Sequence, residues 1–106
     1  MTTTINIQDA NSNSVETANW WESAEDHRFA LEVLQLLLRR KMLSFIAGGI
    51  KSNCQIEKEQ GLGAALAEYH LQMLEKALVI ERAEGGWRAT ITGLLYLKNV
   101  ETRHKL

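Results

Sequence analysis

The chain of 106 residues has one cysteine, no apolar run of 18 residues and, in its first 27 positions, no lysine or arginine. A single thiol, Cys54, cannot close a disulfide within the chain. That points to the cytoplasm and leaves Cys54 as a small apolar filler or, less simply, a reactive thiol. Without a long apolar run there is nothing to span a membrane. The start, Met1-Thr-Thr-Thr-Ile-Asn, has neither the basic region nor the apolar stretch of a secretory signal. Cys54, His27, His70 and His104 form no pair at metal-ligand spacing, so neither a metal nor another cofactor is expected. Gly61-Leu-Gly63 lacks the third glycine of a dinucleotide loop, because Leu66 stands there. No Ser or Cys has a neighbouring His with an orienting acid, so the chain does not read as an enzyme.

What is present suits one small globular domain, with 45% hydrophobic and 24% charged residues. The net charge of −1 is unevenly spread. Residues 1–27 hold five acids (Asp9, Glu16, Glu22, Glu25 and Asp26), and the remainder holds all 12 cations against eight acids, a balance of +4. A mildly basic body behind an acidic leader is compatible with phosphate contact, yet falls short of a strongly basic nucleic-acid domain. Residues 1–19, rich in Thr, Asn and Ser, bury too little apolar surface to offset their ordering entropy. They are expected to be a mobile leader to a domain spanning 20–106.

Ser23-Ala-Glu-Asp26 offers a helix N-cap with acids in the first turn, where the helix dipole favours them. The periodicity then predicts one helix over 23–40. Phe29, Leu31, Val33, Leu34, Leu36, Leu37 and Leu38 cover an arc of about 220° around it, roughly twice what a surface helix of a monomer needs. Two adjacent indoles, Trp20 and Trp21, precede it. A homodimer contact through Trp20, Trp21, Leu31, Leu34 and Leu38 is the favoured reading, with a deep core helix capped by the indoles as its rival. Residues 39–41, Arg-Arg-Lys, end this helix with cations, either as a solvated cap or as a phosphate contact.

Residues 50–53 fit a short strand, and Ser52 or Asn53 fits the cap of a brief helix through Gln60, with Gly61-Leu-Gly63 as the turn. A helix over 64–77 carries Leu66, Ala67, Leu71, Leu74 and Ala77 as a buried stripe. Tyr69, Gln72, Met73 and Lys76 lie on its other face, together with Glu68. Strands over 79–83 and 87–91 flank Gly85-Gly86. Thr90 caps a last helix, with Leu94, Leu97 and Val100 turned inward. The expected class is mainly α with a small β-hairpin (α+β).

Tyr69-His-Leu-Gln-Met-Leu-Glu-Lys-Ala-Leu-Val-Ile80, followed by Thr90-Ile-Thr-Gly-Leu-Leu-Tyr-Leu-Lys-Asn-Val100, resembles winged helix-turn-helix domains. The likeness is nearest to small bacterial and prophage proteins with a Tyr-His-Leu-x-x-Leu helix and a Thr-x-x-Gly-x-x-Phe/Tyr-Leu segment after the wing. It covers about a third of the chain, and it implies a winged helix with an extra greasy N-terminal helix. One position departs from the pattern. The family has glycine after the recognition helix, and this chain has Leu78, for which a left-handed backbone costs on the order of 1 kcal/mol. The helix is therefore expected to run on or close differently, with the strand starting later.

Two functions follow from the resemblance. In the first, a dimeric transcriptional regulator places the helix over 64–77 in the major groove of duplex DNA, presenting Tyr69, Gln72, Met73 and Lys76. Arg82, Arg88, Lys51 and Lys58 then hold phosphates. In the second, the winged helix contacts a protein partner without binding DNA, as an adaptor, assembly factor or phage-type modulator. Glu68 and the single lysine on the reading face favour that alternative.

Overall fold

The computed structural model describes residues 21–105, with side chains to residue 100. The leader over 1–19 and Trp20 lie outside the described residues. Five helices and one hairpin follow in order: α1 (Ala24–Val33), α2 (Leu37–Ala47), α3 (Asn53–Gln60), α4 (Ala64–Lys76), β1 (Ile80–Ala83), β2 (Gly86–Ala89) and α5 (Ile91–Lys105). No helix among the described residues is long and apolar enough to cross a membrane.

The helix expected over 23–40 is two helices. Ser23 caps α1, its hydroxyl accepting the Asp26 N–H at 2.9 Å. The chain then breaks at Leu34 and is extended at Leu36 (φ −75°, ψ 123°). One straight helix cannot turn an apolar arc of 220° onto one core. The break divides it: Val33 and Leu34 are buried with α1, and Met42, Leu43 and Ile46 with α2. Leu31, Leu36 and Leu37 stay outside, at 44%, 47% and 56% exposure. The cations sit in the first turn of α2 and reach backward. Arg39 Nη1 donates to the Val33 carbonyl at 3.3 Å, and Arg40 Nη1 donates to those of Leu34 (2.7 Å) and Gln35 (3.0 Å). They satisfy carbonyls that the broken helix leaves without partners, so the capping role holds for α1 rather than for one long helix.

Two of the residues assigned to a dimer contact belong to the monomer's own core. Leu34 is 2% exposed, and Trp21 is 7% exposed with its indole N–H donating to the Ala77 carbonyl at 2.7 Å. That bond ties the approach to α1 onto the end of α4 and takes Trp21 off the surface. Leu38 is half-buried against the same core, and Leu31 alone of the described residues in that set is exposed.

α3 and α4 form the helix-turn-helix. Ser52 closes a capping box: its hydroxyl accepts the Gln55 N–H at 3.1 Å, while Gln55 Oε1 accepts the Ser52 N–H at 2.8 Å. Gly61 takes the left-handed conformation (φ 66°) that ends α3. In α4 the buried stripe is Ala67, His70, Leu71 and Leu74. Leu66, expected in that stripe, is 49% exposed, because it lies about 100° from Ala67 on the helix and His70 fills the inner position.

α4 ends where the family pattern has glycine. Leu78 adopts the left-handed conformation (φ 68°), contrary to the expectation that the helix would run on. The Leu78 N–H donates to the Glu75 carbonyl at 2.9 Å and the Val79 N–H to that of Leu74 at 3.3 Å, the paired bonds of a Schellman closure. The Thr90 hydroxyl also donates to the Leu78 carbonyl at 2.7 Å, and the Thr90 N–H to that of Val79 at 3.0 Å. Surroundings that specify the turn this fully hold a residue that alone disfavours it. Thr90 then caps α5 through Gly93 N–H (3.0 Å).

β1 and β2 pair antiparallel, Ile80 with Ala89, Glu81 with Arg88, Arg82 with Trp87 and Ala83 with Gly86, leaving Glu84 and Gly85 as the tip. The strand expected over 50–53 contracts to a single antiparallel bridge, Lys51 with Trp87, closed by N–H donation both ways at 3.0 and 2.9 Å. Gly86 makes this possible, since a Cβ there would lie 2.0 Å from the Lys51 carbonyl oxygen. Trp87 is 1% exposed in the core. On α5, Leu97 is half-buried, whereas Leu94, expected to face inward, is 46% exposed.

Candidate nucleic-acid interface

The outer face of α4 is set by the phase of its buried stripe. With Ala67, His70, Leu71 and Leu74 turned inward, Tyr69, Gln72 and Lys76 fall on the solvent side at helical spacing. Met73, assigned to the same face, is half-buried and packs against the core. Tyr69 is 53% exposed. Beneath it the Arg39 guanidinium lies 5.6 Å from the ring centroid and donates through Nε to His70 Nδ1 at 3.0 Å. His70 therefore serves as a neutral acceptor. Burial, with the neighbouring Arg39 charge adding to it, pulls its pKa below the ordinary histidine value.

A connected set of hydrogen bonds runs across α3, α4 and the wing. The Trp87 indole N–H donates to Asn53 Oδ1 at 2.8 Å, and Asn53 Nδ2 donates to Glu68 Oε1 at 3.1 Å. Gln72 Nε2 donates to Glu68 Oε2 at 3.1 Å. Arg82 lies 3.7 Å from Glu68 and 4.0 Å from Glu75, with its guanidinium 4.4 Å from the Trp87 ring centroid. The wing is thus tied to α4 through the acid that looked out of place on a reading face.

The assigned phosphate contacts divide three ways. Lys58 and Lys76 are exposed and have no acid partner among the described residues. Arg82 and Arg88 are exposed but paired, Arg82 as above and Arg88 Nε with Glu81 at 2.7 Å. Lys51 turns toward the end of α2, donating to the Gly49 carbonyl at 3.2 Å with its ammonium 4.7 Å from the Phe45 ring centroid. From 64 to 89 there are three cations (Lys76, Arg82, Arg88) and four acids (Glu68, Glu75, Glu81, Glu84). That surface is nearly neutral, so shape and specific contacts outweigh bulk attraction to phosphate there.

Asn53, Glu68 and Glu75 have site positions that the sequence reading did not assign. Asn53 looks like a helix cap, and only the folded helix-turn-helix brings positions 53, 68 and 87 together. Among the described residues no group of three or more His, Cys, Asp or Glu side chains gathers as a metal site.

No protein-family model and no curated protein matches the sequence. Among solved structures it is similar to the solution NMR structure of a homodimeric winged helix-turn-helix DNA-binding domain from Mycobacterium bovis, a possible ArsR-family transcriptional regulator. The TM-score is 0.66 at 19% identity, covering 92% of this chain and 94% of that one. At that identity the likeness is one of architecture: the chain has a winged helix-turn-helix fold, mainly helical with a two-stranded antiparallel wing.

Proposed function

We infer that this chain is a DNA-binding regulator of the cytoplasm that docks on duplex DNA as a dimer, through a domain spanning 20–106. The observation that carries this reading is the outer face of α4. It is exposed at Tyr69, Gln72 and Lys76, beside a wing tied to it through Trp87, Asn53 and Glu68. A helix of this kind fits the major groove, with the wing on the adjacent backbone. The M. bovis domain, itself homodimeric and DNA-binding, supports the reading at the level of fold. Arg82 and Arg88 pair with acids at exposed positions, where ion pairs are worth only about 0–1 kcal/mol, so phosphates can replace those partners, with less net gain than at the unpaired Lys76. With Leu34 and Trp21 in the core, the exposed apolar side chains that a second copy could cover include Leu31, Leu36 and Leu37 around the break between α1 and α2 and Ile91 and Leu94 on α5.

The near-neutral surface of α4 and the wing favours the second reading, a winged helix that contacts protein. A salt series of binding to random-sequence duplex DNA decides between them. DNA binding requires a steep fall of affinity with salt, about 0.9 log units per log unit for each phosphate neutralised. A slope near zero, or only millimolar affinity at low salt, overturns the DNA reading and leaves protein contact. Sedimentation at micromolar concentration tests the dimer, and a species of one chain's mass alone removes it.

A further inference from the structure

Glu68 is an acid where a DNA reader needs cations, and both its carboxylate oxygens are occupied, Oε1 by Asn53 Nδ2 and Oε2 by Gln72 Nε2, each at 3.1 Å, with Arg82 Nη2 also 3.7 Å from Oε2. The direction of the Asn53 bond is imposed from the core, and that of the Gln72 bond by the carboxylate itself. The Trp87 indole is a donor only, so the side-chain oxygen of Asn53 must face it and the Asn53 amino group must face Glu68. A carboxylate accepts only, so Gln72 turns its amino group, not its carbonyl, toward Glu68. The amide that a surface glutamine flips freely is here given one orientation. One N–H of Gln72 is engaged, and the other N–H and Oε1 are left for the outside.

Resting on the DNA reading above, we propose that Glu68 is a positioning residue that makes Gln72 select adenine over guanine. The free N–H suits adenine N7 while Oε1 accepts from the adenine N6 amino group. Guanine offers two acceptors, N7 and O6, which the two N–H groups of an unheld amide could both reach; with one N–H held by Glu68, Oε1 opposes O6. Releasing the amide frees its second N–H for guanine and lowers the discrimination. Glu68 therefore acts on the base read, and its negative charge is the cost of that selectivity toward phosphate.

The test uses the full chain and a randomised duplex DNA library, comparing the unaltered protein with Glu68→Gln and Gln72→Ala. The unaltered protein enriches adenine over guanine at one position by about ten-fold or more, and Gln72→Ala loses that preference at that position. Glu68→Gln, whose amide both donates and accepts, lowers it to less than about three-fold while overall affinity is kept or raised, since an acid has left the surface. Undiminished adenine preference in Glu68→Gln, or an unchanged profile in Gln72→Ala, overturns the positioning role and leaves DNA binding intact. Failure of the unaltered protein to enrich any sequence at low salt overturns the DNA reading itself, and this inference with it. A second measurement needs no DNA. The side-chain amide protons of Gln72 shift in Glu68→Gln and not in Glu59→Gln, by NMR of the free protein. An unmoved pair overturns the positioning bond.

Discussion

Replacing Gly93 with alanine sets two physical rules against each other. Inside a helix, alanine is better than glycine by about 0.8–1 kcal/mol, so propensity alone predicts a more stable protein. In the fold, Gly93 is buried where α5 crosses the turn after α4. A Cβ there would stand 2.3 Å from the Val79 carbonyl oxygen and 3.1 Å from its carbon. To restore ordinary contact α5 has to retreat by about 1 Å. The retreat stretches the Thr90 N–H bond to Val79 (3.0 Å) and the Thr90 hydroxyl bond to Leu78 (2.7 Å). Two hydrogen bonds at about 1 kcal/mol each, plus about 1–2 kcal/mol of overpacking, outweigh the propensity gain and leave a net loss of about 2–3 kcal/mol. For a domain of this size that lowers Tm by about 8–24 °C. Urea unfolding followed by the fluorescence of the buried Trp21 and Trp87 reads the change as a lower midpoint at unaltered slope. Asn99→Ala, on the exposed side of the same helix, should raise the midpoint, with a gain in stability of a few tenths of a kcal/mol. A Gly93→Ala midpoint equal to or above that of the unaltered protein would refute the close approach of α5 to Val79.

Trp21→Phe deletes the donor to the Ala77 carbonyl and is expected to cost about 1–2 kcal/mol in urea unfolding while sedimentation stays unchanged. Weakened self-association at full stability would instead return Trp21 to a subunit contact. His70 has a lowered pKa in the folded state, so the unfolded chain takes up its proton first as pH falls. The stability linked to His70 is complete above its unfolded value of 6.5 and is lost as pH drops below that, through the folded pKa. His70→Gln keeps an acceptor for Arg39 without titrating, and unfolding midpoints across that range should lack the decline. If the variant declines equally, the loss belongs to other groups. In DNA binding, Lys76→Ala should reduce the log–log salt slope by about 1, with a smaller effect for Arg88→Ala because Glu81 already holds that guanidinium. An Arg88 effect equal to that of Lys76 would mean that the wing, more than α4, carries the phosphate contacts.

Local rules account for the parts of this fold that the sequence makes legible. Ser23, Ser52, Gly61 and Thr90 mark helix ends because capping and left-handed turns are decided by a residue and its near neighbours. The stripe of Ala67, Leu71 and Leu74, and the paired strands around Gly85, follow from periods of 3.6 and 2 in the same way. Those signals suffice to place Tyr69, Gln72 and Lys76 together on one exposed face.

What tertiary structure decided involves residues far apart in the chain, where local preference has no say. The apolar arc over 29–38 tells how much surface must be covered. Only the folded core, which takes Val33 and Leu34 from one helix and Met42, Leu43 and Ile46 from the next, decides that the helix breaks at Leu34 and that Arg39 and Arg40 turn back to its carbonyls. Leu78 holds a conformation that its own sterics oppose because Thr90, twelve residues on, binds its carbonyl. Trp21 leaves the surface because the Ala77 carbonyl waits 56 residues away. Glu68, repulsive to phosphate when read along the helix, becomes an orienting group because its carboxylate only accepts and the fold brings Asn53 and Gln72 to its two oxygens. The sequence by itself determined the elements and their exposed residues. The fold decided which of those residues are free to meet a partner, because hydrogen-bond direction and burial depend on groups the chain brings together only when folded.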